Sequence, residues 1–303
     1  LNAVTAVSVR WFPLRERGMA AGFSALAQYL GIVIAMLVTP MLVGSDPAEP
    51  GYGTGFESML MTYGWLTFGV SIVTLLLLRE QPPTPPAVET LERHSFVEGV
   101  KHILTLRDMR ITLLLFFVGL GIFNAVSSMT DSIAENAGVQ DSDGLIGGLM
   151  LIGGILGALI LPILSDKFRK RKVFLVICIA GMVPGIFGLT FAGSLSSDPE
   201  TVYAISLAAS FVLGFFIMSA GPLGFQYAAE VSHPAPESTS QGMLLWVGQV
   251  TGMIFVAGMS VESNRYLPAF MVGFAVLSLL CLVAVLLLRE SPMIITEQDR
   301  MEA

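Results

Sequence analysis

Apolar residues run through this chain in long unbroken stretches; they neither alternate nor mark a single face of a helix. Eight stretches, at 19–43, 59–78, 111–131, 145–164, 173–193, 202–225, 242–261 and 268–288, each reach the roughly 20 residues that cross a bilayer core as a helix. A segment apolar on every side has no polar face to offer water. In hydrocarbon its backbone is satisfied only within a helix or a closed barrel. The pattern predicts an all-α membrane protein with eight complete transmembrane helices, and residues 1–9 read as the stub of a ninth.

A sparse repeat overlies these stretches. Pro13, Glu16, Gln28 and Gly31 recur 221 residues later as Pro234, Glu237, Gln249 and Gly252, with the same internal spacing. A second echo follows, in which Leu76-Leu77-Leu78-Arg79-Glu80 and Pro82 match Leu286-Leu287-Leu288-Arg289-Glu290 and Pro292. Duplicated halves in lipid-type sequence point to a secondary transporter, whose binding site lies near mid-membrane where the repeats meet. On this alignment Leu1 corresponds to Pro222. The chain is therefore expected to lack about 110 to 120 residues at its start, three helices and most of a fourth from a total of about twelve.

Composition agrees with the spans: 54% of residues are hydrophobic and 13% charged, against about a quarter charged in soluble domains. Charge then gives orientation, because Lys and Arg gather in cytoplasmic loops. Alternating the connections from Arg10 puts 15 of the 16 Lys and Arg residues on one side and leaves only Arg265 on the other. A missed or invented helix would flip every later loop, so this split checks the helix count. It predicts a plasma-membrane, multi-pass protein with a cytoplasmic C-terminus. The predicted organisation is residues 1–80 as the rest of a first half, 81–110 as a cytoplasmic linker, 111–290 as a six-helix second half and 291–303 as a tail. Within the linker, Gln81-Pro82-Pro83-Thr84-Pro85-Pro86 cannot be helical. After it Phe96, Val97, Val100, Ile103 and Leu104 fall at helical spacing, which suits either a helix on the membrane surface or a solvated linker helix. The net charge of −7 comes largely from the outer loops. It offers nothing to nucleic acid, and it suits either a cationic substrate or a salty habitat.

Cys178 and Cys281 lie alone in spans and read as packing residues. His94, His102 and His233 sit in loops without converging ligands, so neither a metal nor any other cofactor is expected. There is no Walker A pattern and no nucleophile, base and orienter set, which argues against both ATP-driven transport and an enzyme. Polar groups inside the spans carry the chemistry, because hydrocarbon leaves them expensive without partners. Gln28 and Gln249 occupy equivalent places about ten residues into their helices, and an amide offers a ligand two donors and an acceptor. Tyr29, Asn124, Ser127 and Ser128 come next as substrate contacts, the alternative being bonds between helices. Asp131, near the outer end of its helix, is a candidate for proton or cation coupling, or simply meets water. Gly147, Gly148, Gly153, Gly154 and Gly157 on one helix permit close backbone approach, static or sliding.

At the inner end of that helix, Ser165-Asp166-Lys167-Phe168-Arg169-Lys170-Arg171-Lys172 resembles the loop motif of the major facilitator superfamily, Gly-x3-Asp-Arg/Lys-x-Gly-Arg-Arg/Lys. Asp166, Lys167, Lys170 and Arg171 match, while Pro162 and Arg169 stand at the two Gly positions. Arg10-Trp11-Phe12-Pro13-Leu14-Arg15-Glu16-Arg17-Gly18 is similar to the fourth-to-fifth helix connection of the same superfamily. Within it, Arg79 to Pro86 and the run Pro222 to Val231, followed by Pro234, Glu237, Ser240, Gly242 and Gln249, resemble the feline leukaemia virus subgroup C receptor family, solute carrier family 49. The resemblance implies a twelve-helix fold and export of choline, ethanolamine or heme. It implies a cytoplasmic gate built from Asp166 and its basic neighbours together with Glu230, Glu237, Arg15, Glu16 and Arg17. The family's second-half glutamine falls on Gln249, its first-half glutamine on Tyr29 with Gln28 one place earlier, and its cage aromatic in the seventh helix on Asn124.

The expectation is thus a monomeric transporter of a small polar or cationic metabolite working by alternating access. Proton-coupled efflux of drugs or organic anions, and a receptor or scaffold that no longer transports, are the alternatives.

Overall fold

A computed structural model of the chain describes residues 11, 27, 30–32, 34, 35, 38, 39, 41–44, 51, 53–77, 96–141 and 144–292. Its helices are α1 (Phe56–Leu77), α2 (Phe96–Thr105), α3 (Arg107–Ser128), α4 (Thr130–Asn136), α5 (Leu145–Phe168), α6 (Arg171–Leu195), α7 (Pro199–Ser232), α8 (Glu237–Met259) and α9 (Leu267–Leu286). Seven of them, all but α2 and α4, are long and apolar enough to cross a membrane. The sequence predicts eight; the remaining stretch, 19–43, lies mostly outside the described residues, as does the stub at 1–9.

The chain divides into two compact units, Leu1–Leu91 and Glu92–Ala303. In the first, α1 buries Met59 alone among its residues and leaves Trp65, Leu66 and Leu75 to Leu77 exposed, the dress of a helix made for lipid or for partners. A hydroxyl bond of 2.9 Å between Thr39 and Tyr63 ties it to the helical turns before it.

The second unit holds the hydrophobic core. Six long helices pack in a definite pattern: α5 and α6 both lie along α7, and α8 and α9 both lie along α3, with α6 and α9 also in contact. Exchanging α3, α5 and α6 for α7, α8 and α9 maps these pairs onto one another. This is the contact pattern of three-helix repeats nested within a six-helix half. Glycines set the spacing. A Cβ at Gly157 would strike the carbonyl oxygen of Phe215, one at Gly153 that of Phe211 and one at Gly154 the Met218 sulfur, so α5 and α7 touch backbone to backbone. Of the other two glycines in that row, Gly147 makes ordinary contact with Thr130 and Gly148 faces open space.

Three details depart from the sequence pattern. Helix α7 has 34 residues, about 50 Å, which exceeds a core of about 30 Å, and it continues to Ser232, past the predicted end at 225. The span predicted at 111–131 is cut at Met129, whose N–H is shared between Ala125 and Val126 carbonyls, and α4 restarts at Thr130. Helix α2 is docked to protein: Ile103 is fully buried with Met109, Phe116, Ala228, Ala235 and Leu244, and Gly99 meets Pro236. Val97 and Leu104 of its apolar stripe stay exposed. Cys178 and Cys281 are buried in the main core.

Candidate functional site

Two polar clusters are set into this apolar frame, one within the spans and one at the basic end. The first is built where α3 and α8 cross. Gly121, Gly248 and Gly252 let the helices close: a Cβ at Gly121 would press on Thr251, one at Gly248 on Leu120 and one at Gly252 on Asn124. Across this seam Asn124 Nδ2 donates to Gln249 Oε1 at 3.1 Å. The bond takes one lone pair of the glutamine oxygen and leaves its amide hydrogens and the Asn124 Oδ1 for a ligand. Asn124 is half-buried, while Gln249, Ser127 and Ser128 are exposed. Ser127 Oγ donates back to the Asn124 backbone carbonyl at 3.2 Å. Gln249 stands on the same face of α8 as Trp246 and Met253, both about two-thirds exposed, so an indole and a thioether flank the amide at helical spacing. Sequence reasoning missed Trp246. Its position three residues before Gln249 was the signal available. Phe123, beside Asn124, packs into the core. Gln28, the repeat equivalent of Gln249, and Tyr29 lie outside the described residues.

The second cluster centres on Arg171, the first residue of α6 and only 6% exposed. Its Nη1 reaches Asp166 Oδ1 and Ser165 Oγ, the latter at 3.3 Å, while Nε and Nη2 both reach Glu230 Oε1 at 3.2 Å. A single cation thus joins the end of α5 to the end of α7. Such burial is tolerated because the guanidinium is hydrogen-bonded on all sides. The turn that delivers Asp166 ends in Arg169, whose φ of 53° is left-handed. That is why a glycine belongs at this place in the motif: a helix C-terminus closes there in the αL region. Lys167 and Lys170 are exposed, and Glu237 opens α8. Arg15, Glu16 and Arg17 lie outside the described residues, so the partner the structure gives Glu230 is Arg171. Sequence reasoning missed Ser165, Tyr227, Glu290 and Ser291 here, although the Leu-Leu-Leu-Arg-Glu echo had marked the last turn.

The opposite end is acidic. Asp141 caps α5 by accepting the Leu145 and Ile146 N–H groups at 2.9 and 2.8 Å, and it also takes the Tyr203 hydroxyl at 3.0 Å. Asp198 caps α7, and the Thr201 hydroxyl and N–H hold its carboxyl below the usual range. Asp131 is exposed in the first turn of α4. Among the described residues, no three His, Cys, Asp or Glu side chains converge to hold a metal.

Residues 1–256 match the Major Facilitator Superfamily. The chain belongs to that superfamily. Among its superfamily relatives, solute carrier family 49 member A3 of Xenopus tropicalis is 28% identical over 81% of this chain and 50% of its own length. The choline/ethanolamine transporter flvcr2a of Danio rerio is 27% identical over 84% of this chain and 55% of its own. The choline/ethanolamine transporter FLVCR2 of Homo sapiens is 26% identical over 84% and 49%. The chain spans about half the length of the curated relatives it matches.

Proposed function

We propose that the whole protein carries a small polar or cationic metabolite across the plasma membrane by alternating access, binding it without chemical conversion. The observation that carries this reading is the Asn124–Gln249 amide pair, set between two spans of an apolar bundle and open on one side. Free amide hydrogens and a carbonyl oxygen suit a hydroxyl or amine headgroup. Trp246, one turn away, supplies an aromatic face of the kind that attracts a quaternary ammonium by about 0.5 to 2 kcal/mol. The names of the relatives favour choline or ethanolamine as cargo. Gln28 contributes a first-half contact by repeat equivalence and Tyr29 one by the family resemblance, Ser127 adds a hydroxyl, and Asp131 is the candidate for coupling a proton or cation. The basic end faces the cytoplasm, with the C-terminus, and Asp166, Arg171 and Glu230 act in its gate along with Arg15, Glu16, Arg17, Lys167, Lys170 and Glu237.

The test is flux in proteoliposomes containing the full-length parent. Choline uptake is expected to be saturable, to fall at least tenfold in Gln249→Ala and to weaken in Trp246→Ala. Flux of dyes or organic anions that follows a pH gradient and disappears in Asp131→Asn would replace this reading with proton-coupled efflux. Choline binding without flux would mark a receptor.

A further inference from the structure

The residues that follow α9 are threaded into the basic end. Leu288 is 1% exposed and Ser291 7%. The Arg289 carbonyl accepts the Tyr227 hydroxyl at 2.8 Å, and its N–H donates to Asp108 Oδ1 at 3.4 Å. Glu290 Oε1 accepts the Lys172 N–H at 2.9 Å, one of the donors that the first turn of α6 leaves unpaired. Ser291 Oγ donates to Glu230 Oε2. Three residues of tail thereby join the start of α3, the start of α6 and the end of α7.

The arrangement at Glu230 gives these bonds a purpose. Arg171 does not grip the carboxylate as a fork, with one nitrogen on each oxygen; both of its nitrogens fall on Oε1. A carboxylate held by one oxygen keeps the freedom to turn about its last bond, and the orienting advantage of a bidentate pair is lost. The hydroxyl of Ser291 restores it from the other side. We propose that Arg289–Ser291 is a strap whose Glu290 and Ser291 are positioning residues for the Arg171–Glu230 pair, which makes the C-terminal tail a working part of the gate. The strap stands on the contacts above; its effect on flux rests on the transporter reading.

Amide hydrogen exchange of the full-length protein, read in peptides covering the start of α6, tests it. Ser291→Ala and Glu230→Gln are each expected to speed exchange there several-fold, and Ser291→Thr, which keeps the hydroxyl, to stay near wild type. The double variant is expected to exchange no faster than the faster single one, because one residue acts through the other. Wild-type exchange in Ser291→Ala, or a double variant in which the two effects multiply, overturns the strap. Where Ser291→Ala does not fold, Glu290→Gln takes its place, with several-fold faster exchange expected and an unchanged rate overturning the proposal. In vesicles whose wild type carries choline, Ser291→Ala is expected to lower maximal flux while the half-saturating concentration holds; raised exchange with unchanged flux removes the gate role. A wild type that carries no choline counts against the transport reading, and the exchange measurements then decide the strap by themselves.

Discussion

Arg169 and Gly252 show how much a single backbone position decides here. Arg169 is a non-glycine residue at φ 53°, a region that costs most side chains roughly 1 to 2 kcal/mol, partly offset because glycine is looser in the unfolded chain. Arg169→Gly is therefore expected to stabilise the protein by about 0.5 to 1 kcal/mol in a thermal melt, with Arg169→Val losing stability. Gly252 is the reverse case, since a Cβ there would stand 2.7 Å from the Asn124 Cβ and 2.8 Å from its Nδ2. Gly252→Ala is expected to push Asn124 away from Gln249. Choline flux should drop several-fold and the melting temperature should fall as well, because the Asn124 Cβ is fixed to its backbone and α3 must give way. The sequence marked Gly252 as part of a repeat, and the physical reason for the glycine lies in the helix packed against it.

At the scale of elements, the chain's glycine-rich helix divides by what faces each residue. Gly157 abuts the Phe215 carbonyl and Ser219 hydroxyl, neither of which can yield without moving α7. Gly157→Ala is expected to cost about 1 to 3 kcal/mol, the usual price of overpacking. Gly148→Ala, on the same helix with nothing within 4 Å, should be neutral or stabilising by up to about 1 kcal/mol from helix propensity. Paired melting curves of the two variants check this. Both glycines read alike in the sequence, as small residues in an apolar stretch. The same blindness holds for α2: helical spacing predicted an amphipathic helix, but only packing shows that Ile103 belongs to the protein and that Val97 and Leu104 remain outside.

At the scale of the whole molecule, Glu92–Ala303 contains both hydrophobic clusters and pairs its long helices among themselves. It has what a domain needs to fold alone. Residues 92–303 expressed without the rest are expected to yield a helical, cooperatively melting protein in detergent that carries no choline. Failure to fold would mean that this half takes its stability from the other. In the exchange relation between α3, α5, α6 and α7, α8, α9, α3 and α7 each serve as the spine for two other helices.

The membrane class, the main spans from 59 onward and the superfamily were legible in the sequence alone. These follow from hydropathy and spacing, which are local or nearly so. It could not say that Asn124 bonds Gln249 across 125 positions, that Glu230 meets Arg171 and Ser291, or that the tail is woven into the helix ends. A lipid-soluble helix has no sequence signal for which of its faces meets a neighbour, because lipid and protein interior are equally apolar. Pairing is decided by backbone approach and by where the few polar groups find partners, and both exist only once the bundle has formed.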